Sequence, residues 1–176
     1  VDGDVATAAA HALGVLGAVD RTSAVAAYLD ARRGEVRAAA ITALGALGAD
    51  DRARDIVAGL TDADWHVRRA AVEALGALDA VDQAPAVAAL LDHAAPQIRA
   101  TALEALAGLG AVDHTPAVAA RLDDDDRSVR EVALGALVAL DAVEQAPAIA
   151  RRLPDEPCQV RVAAIEALGA LDARDH

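Results

Sequence analysis

The sequence repeats itself every 31 residues, and the register never slips. Each unit opens on an aliphatic residue, at Val5, Val36, Val67, Ile98, Val129 and Val160. The fullest copy reads VRRAAVEALGALDAVDQAPAVAALLD, from Val67 to Asp92. A period of this length marks a supersecondary unit that cannot bury its apolar face alone and must stack on its neighbours. Such a chain has no single central core. The units are 5–35, 36–66, 67–97, 98–128 and 129–159, with a half unit at 160–176, and the expectation is one array over 1–176.

Each unit divides into two helices. In the second unit, Val36, Ala40, Ala43, Leu44 and Leu47 follow the spacing of one helical face, which predicts helix A over 36–47. Three rows never vary: Ala9/40/71/102/133/164, Ala12/43/74/105/136/167 and Leu13/44/75/106/137/168. An obligatory alanine implies that another helix presses too close for a larger side chain. Helix A is expected to end at Gly17, Gly48 and Gly110, with Asp79, Asp141 and Asp172 in the same place elsewhere. Both residue types reach the left-handed conformation that closes a helix, glycine most readily.

Helix B is expected over 83–91 in the third unit, with Asp20, Asp51, Asp82, Asp113, Glu144 and Asp175 at or near its start, where a carboxylate can cap free N–H groups. Pro85, Pro116 and Pro147 fall in its first turn, where a missing N–H costs little. Its buried stripe is Val25/Ile56/Val87/Val118/Ile149 with Leu29/60/91/122/153. The loops between units are rich in Asp and Pro. Asp64 and Asp126 are candidate caps for the next helix A, and Pro96 and Pro157 suit its first position.

The charge excludes some partners. There are 28 acidic residues against 16 basic ones, all arginine, for a net charge of -12. An acidic surface repels nucleic acid and anionic membranes. No apolar run reaches the roughly 18 residues of a membrane span. Lysine-free, aspartate-heavy usage resembles salt-accumulating haloarchaea; a GC-rich genome gives a similar bias. Cys158 is alone, which fits a reducing cytoplasm, and it reads as a free thiol in the last loop.

The pattern V-R-x-A-A-x-x-A-L-G-x-L-G, followed by a second helix and an Asp-rich loop, resembles the HEAT-like repeat of the phycobilin-lyase type, and artificial proteins built on that consensus. Val67 to Asp92 carries it best, and it runs through nearly the whole chain. The resemblance implies an all-α, right-handed superhelix, with A helices on the convex side and B helices on the concave side. Where that family often has Asp-Pro directly after helix A, this chain has Ala-Val-Asp, which leaves the start of helix B open by two residues.

Function is expected on the concave face, as a non-catalytic scaffold that docks a protein or peptide segment. The row Tyr28, Gly59, Leu90, Arg121, Arg152 varies while its surroundings stay constant, and a flanking row (Arg21, Arg52, Gln83, His114, Gln145) varies too. The expected contacts are Tyr28, Leu90, His114, Arg121, Arg151 and Arg152, since Tyr and Arg often dominate binding energy. The basic residues toward the C-terminal half point to an acidic partner segment. The arginine row Arg37/68/99/130/161 reads as structural, each guanidinium forking onto loop carboxylates. The run Asp123–Asp126 reads as a solvated loop, and Trp65 as cover for a repeat junction.

The five histidines are scattered through the repeat, only His114 and His176 sharing a place, and no His-Glu pair occurs as in the metal-binding hydroxylase relatives. No catalytic residue, metal or cofactor is therefore expected. The family name implies a second reading, a subunit of a bilin lyase or a related modifying enzyme. A consensus-designed array is a third, against which Cys158, Gly135 and Val138 speak. The last unit has no B helix over its A helix, and the first A helix lacks a polar face. Either the array continues in a longer parent protein or these ends pair with something, and the second case predicts self-association.

Overall fold

The computed structural model describes residues 22–152 and 158–172. Among these the chain is helical, with no strand. The first A helix, Gly17, Asp20, Arg21, Leu153, Pro157 and Asp175 lie outside the described residues. The A helices are α2 (Gly34–Ala46), α4 (Trp65–Ala77), α6 (Pro96–Gly108), α8 (Arg127–Ala139) and α10 (Cys158–Asp172). The B helices are α1 (Thr22–Ala26), α3 (Ala53–Ala58), α5 (Ala84–Ala88), α7 (Thr115–Ala120) and α9 (Ala146–Arg152). The chain forms two compact units, 1–83 and 84–176. Within the first, α2 packs on α4; within the second, α6 packs on α8 and α8 on α10. Each helix B lies against the helix A that follows it. Each unit is thus a stretch of α-solenoid. Cys158 opens α10 and is not a loop residue as expected, because the last helix A starts two residues before Val160.

The end of helix A is the most regular feature. Gly48 and Gly110 have φ of 65° and 59°, and Asp79 and Asp141 have 49° and 53°. Each closes the same double cap. Ala49 N–H bonds to the Leu44 carbonyl and Gly48 N–H to Gly45; Ala80, Ala111 and Ala142 repeat the first bond onto Leu75, Leu106 and Leu137. This is the Schellman arrangement, which satisfies the carbonyls a helix end leaves open. The alanine after each cap is buried, which seals the turn.

Helix starts are less uniform. Asp64 accepts from His66 N–H and Asp126 from Ser128 N–H, as expected of N-caps, and Pro96 opens α6. The acidic residue after helix A does not cap helix B. Asp51, Asp82, Asp113 and Glu144 each sit inside a 3-10 turn (Asp50–Arg52, Val81–Gln83, Val112–His114, Val143–Gln145), exposed to solvent. Where the cap of the following helix is resolved, at Arg52 and His114, no side chain bonds to it. The turn's own backbone supplies the bonds instead, as Arg52 N–H donates to Ala49.

The core is built from the invariant rows. Ala40, Ala71, Ala102, Ala133 and Ala164 are essentially inaccessible, and so are Leu44, Leu75, Leu106 and Leu137. Val25, Ile56, Val87, Val118 and Ile149 are fully buried from the helix B side. Close approach is explicit at Gly45, where an added Cβ would lie 3.0 Å from the Cβ of Ala74 and 3.1 Å from its Cα. Trp65 begins α4, is 52% exposed, and stacks on His66 with ring centroids 3.8 Å apart.

Candidate partner-binding surface

Four members of the arginine row, Arg37, Arg68, Arg99 and Arg130, are structural, whereas Arg161 is exposed. Arg37 forks onto Asp62 with two 2.7 Å bonds, from Nε and Nη2, and donates to the carbonyls of Ala31 and Arg32. Arg99 forks onto Asp124 in the same way, reaches Asp125 at 2.7 Å, and donates to the carbonyls of His93 and Ala94. Each carboxylate also accepts a backbone N–H, from Asp64 or Asp126. Arg68 and Arg130 grip carbonyls of the loop before their own helix, at 62–63 and 124–125.

The loop position of Asp62 and Asp124 is held in the third repeat by His93, whose Nδ1 accepts from Ala95 N–H at 3.0 Å. The imidazole thus reproduces the loop bond but brings no carboxylate. The Asp123–Asp126 run is accordingly more than a solvated loop: Asp124 and Asp125 hold Arg99, and Asp126 caps α8.

These partners shift the carboxyls. The Arg37 hydrogen bond holds Asp62 below its ordinary 3.8. Burial pushes Asp124 up, and the bonds from Arg99 and from the Asp126 N–H outweigh it, leaving Asp124 lowered. Ser128 lowers Asp126. Both guanidiniums gain from the same pairs, so Arg37 and Arg99 are raised.

With the ladder committed to stacking, the outward side of helix B is what remains for recognition. Ala24, Ala27, Ala58, Ala86, Ala89, Ala117 and Ala120 are all exposed, a smooth and shallow surface. The expected contact residues divide around it. Tyr28 is 39% exposed, in the turn after α1. Arg151 is exposed near the end of α9. Leu90 is half-buried in the 3-10 turn after α5, and His114 is half-buried with its Nδ1 sealed from solvent. Arg152 ends α9, and its side chain lies outside the described residues.

The row of residues 28, 59, 90 and 121 does not point wholly outward. A Cβ on Gly59 would meet Cδ1 of Ile41 at 2.8 Å and Cβ of Ala71 at 3.2 Å. Arg121 is half-buried, with Nη1 donating to the Leu91 carbonyl at 3.0 Å and 3.2 Å from the Asp92 carboxylate. The reason is the 3-10 turn that ends helix B, which rotates this position toward the neighbouring repeat.

In the first unit a cleft of about 740 Å3 opens beside Gly59, with Ile41, Val67 and Leu29 among its lining. Its polar residues were not singled out from sequence. Arg52 donates to Ser23 and lies 3.2 Å from Asp51 and 3.6 Å from Asp55. Only the variability of residue 52 across repeats hinted at it. In the second unit Ala119, Leu122, Asp123, Ala148 and Arg151 line a smaller recess of about 260 Å3. Among the described residues no His/Cys/Asp/Glu group could hold a metal ion. No described helix is long and apolar enough to cross a membrane.

The HEAT-repeat family model matches residues 22–98 and 84–169. A search of curated proteins gave no match. Among solved structures, the chain is similar to the complex of CpcE and CpcF of phycocyanin lyase from Nostoc sp. PCC7120, at 26% identity and a TM-score of 0.62, over 97% of this chain and 73% of that one. It is also similar to an engineered protein at 18% identity and a TM-score of 0.57, over 98% of this chain and 92% of that one. Computationally designed armadillo repeat proteins for modular peptide recognition match at 19% identity and a TM-score of 0.51, over 93% of this chain and 92% of theirs. The last two likenesses speak to fold alone. With the repeat rows buried as the period requires and the family model covering most of the sequence, the chain belongs to the HEAT-repeat family and is an all-α solenoid.

Proposed function

We propose that the protein is a non-catalytic interaction scaffold that receives a protein or peptide segment on the outward faces of its B helices. The observation behind this is the separation of duties along the repeat. Among the described residues the invariant alanines are buried, with Leu44, Leu75, Leu106 and Leu137; Arg37, Arg68, Arg99 and Arg130 are tied to loops, and the alanine face of helix B stays exposed with varied residues at its edges. Preformed surfaces of this kind dock partners with little rearrangement. Tyr28 and Leu90 serve as apolar contacts. Arg121, Arg151, Arg152 and His114 suit an acidic partner segment in the second unit. Arg121 also holds Leu91 and Asp92, so its contribution is shared with stacking.

Photo-crosslinking tests this reading. A photoreactive residue at Ala58 or Ala117 should give discrete adducts in cells that express the protein, and one at Thr42 or Glu104 on helix A should not. Equal adducts from both faces, or none from helix B, contradict it.

The similarity to a phycocyanin lyase complex favours a second reading, a subunit of a bilin lyase or related modifying enzyme. Copurification with a bilin absorbance band supports it over the scaffold. We further propose a halophilic setting from the charge of -12, in a cytoplasm that the lone Cys158 suits, and self-association. Equal stability in very low and very high salt contradicts the first, and a concentration-independent monomer in sedimentation contradicts the second.

A further inference from the structure

Arg121 does something in the second unit that its counterpart in the first cannot do. Its guanidinium ties the end of its own helix B to the Leu91 carbonyl and Asp92 carboxylate of the preceding repeat. Two repeats earlier the same three positions are Gly59, Leu29 and Asp30. The acceptors are kept and the cation is missing. Leu29 and Asp30 both line the open cleft beside Gly59.

The cleft's other charges are already matched. Arg37 is held by Asp62 and two carbonyls, and Arg52 by Asp51, Asp55 and Ser23. Asp30 is exposed, with no ion pair among the described residues. Counting the lining, Asp30, Asp55 and Asp62 face Arg37 and Arg52, which leaves one carboxylate in excess. Ala27 and Ala58, both exposed, supply an apolar wall against which an aliphatic stem can lie.

We propose that this cleft receives an arginine side chain from the partner segment, its guanidinium held by the Asp30 carboxylate and the Leu29 carbonyl as Arg121 is held by Asp92 and Leu91. Arginine suits the site better than lysine, because its planar fork reaches a carboxylate and a carbonyl at once. The inference rests on the scaffold reading for the origin of that segment, but the site itself is a property of the first unit.

The test is an amide-resolved NMR titration with acetyl-Ala-Arg-Ala-amide and with the same peptide carrying citrulline, which keeps the shape and removes the charge. The arginine peptide should bind at least about tenfold more tightly, with shifts confined to residues 26–31 and 52–62. Asp30→Asn should reduce it to the citrulline level. Gly59→Arg should also abolish binding, by placing the chain's own guanidinium in the cleft.

Equal binding of the two peptides, unchanged affinity in Asp30→Asn, or shifts mapping elsewhere would overturn the proposal. Ile41 must move to admit a side chain at residue 59, so the fold of Gly59→Arg is checked by its spectral dispersion. Should it unfold, the surface change Asp30→Asn decides alone. Failure of this titration with crosslinks retained at Ala58 removes only the arginine site. Arginine binding without crosslinks removes the scaffold reading instead.

Discussion

In the first unit residue 59 is glycine and the space beside it is open; in the second, residue 121 is arginine and reaches back to the repeat before it. A related contrast sits at the helix A seam. Gly45 lets Ala74 of the next helix approach its backbone, whereas the same repeat position carries Ala107 in the second unit. The buried rows at Ala40, Leu44, Ala102 and Leu106 are the same in both. The difference teaches where a repeat tolerates change. Positions sealed on every side are fixed by volume, and positions at the rim of a junction can carry a strap, a void or a methyl group without altering the hairpin.

The largest predicted effect is common to both units and comes from acid. Asp62 and Asp124 have lowered pKa values in the fold, so their stabilisation is fully present above the ordinary 3.8 and is lost as pH falls through the lowered values. Urea midpoints should be flat near neutrality and drop steeply below about pH 4. A midpoint unchanged down to pH 2 would mean that the forks contribute nothing.

Next, the arginine row can be broken one member at a time. Arg99→Ala strands Asp124, whose side chain is only 3% exposed, and should cost about 2–3 kcal/mol. A loss below about 0.5 kcal/mol in urea denaturation would show that the loop simply relaxes.

Gly45→Ala sharpens the contrast at the seam. Helix propensity alone favours the change by about 1 kcal/mol. The 3.1 Å approach to the Ala74 backbone opposes it, and a net loss of about 1 kcal/mol is expected. A gain in melting temperature would show that α2 and α4 can separate freely. Asp126→Ala removes the cap of α8 and should lower the urea midpoint slightly.

Arg68→Ala should be the mildest change, under about 1 kcal/mol, because that side chain bonds only loop carbonyls. If its cost equals that of Arg99→Ala in the same assay, the carboxylate fork is not what ties the repeats.

Much of the fold was legible because it depends on volume and backbone conformation at fixed intervals. The Ala and Leu rows, the left-handed Gly48 and Asp79, and the caps Asp64 and Asp126 follow from residue type and spacing alone. What escaped depends on turn geometry. The 3-10 segments on both sides of helix B took Asp51 and its counterparts away from the cap, and turned Gly59 and Arg121 toward the neighbouring repeat. Three-residue turns leave almost no mark in hydrophobic periodicity. The replacement of Asp by His93 was equally hidden, since its consequence lies in which loop bond an imidazole nitrogen can copy.

Partner affinity set against melting temperature, for two variants of the same protein, tests the division of labour most directly. Tyr28→Ala combined with Arg151→Ala should lose the crosslinked partner at an unchanged melting temperature. Arg99→Ala should melt lower and, while folded, bind the partner as the parent chain does. If the paired surface variant lowers the melting temperature and keeps the partner, while Arg99→Ala loses the partner at full stability, stacking and recognition are not divided between these rows.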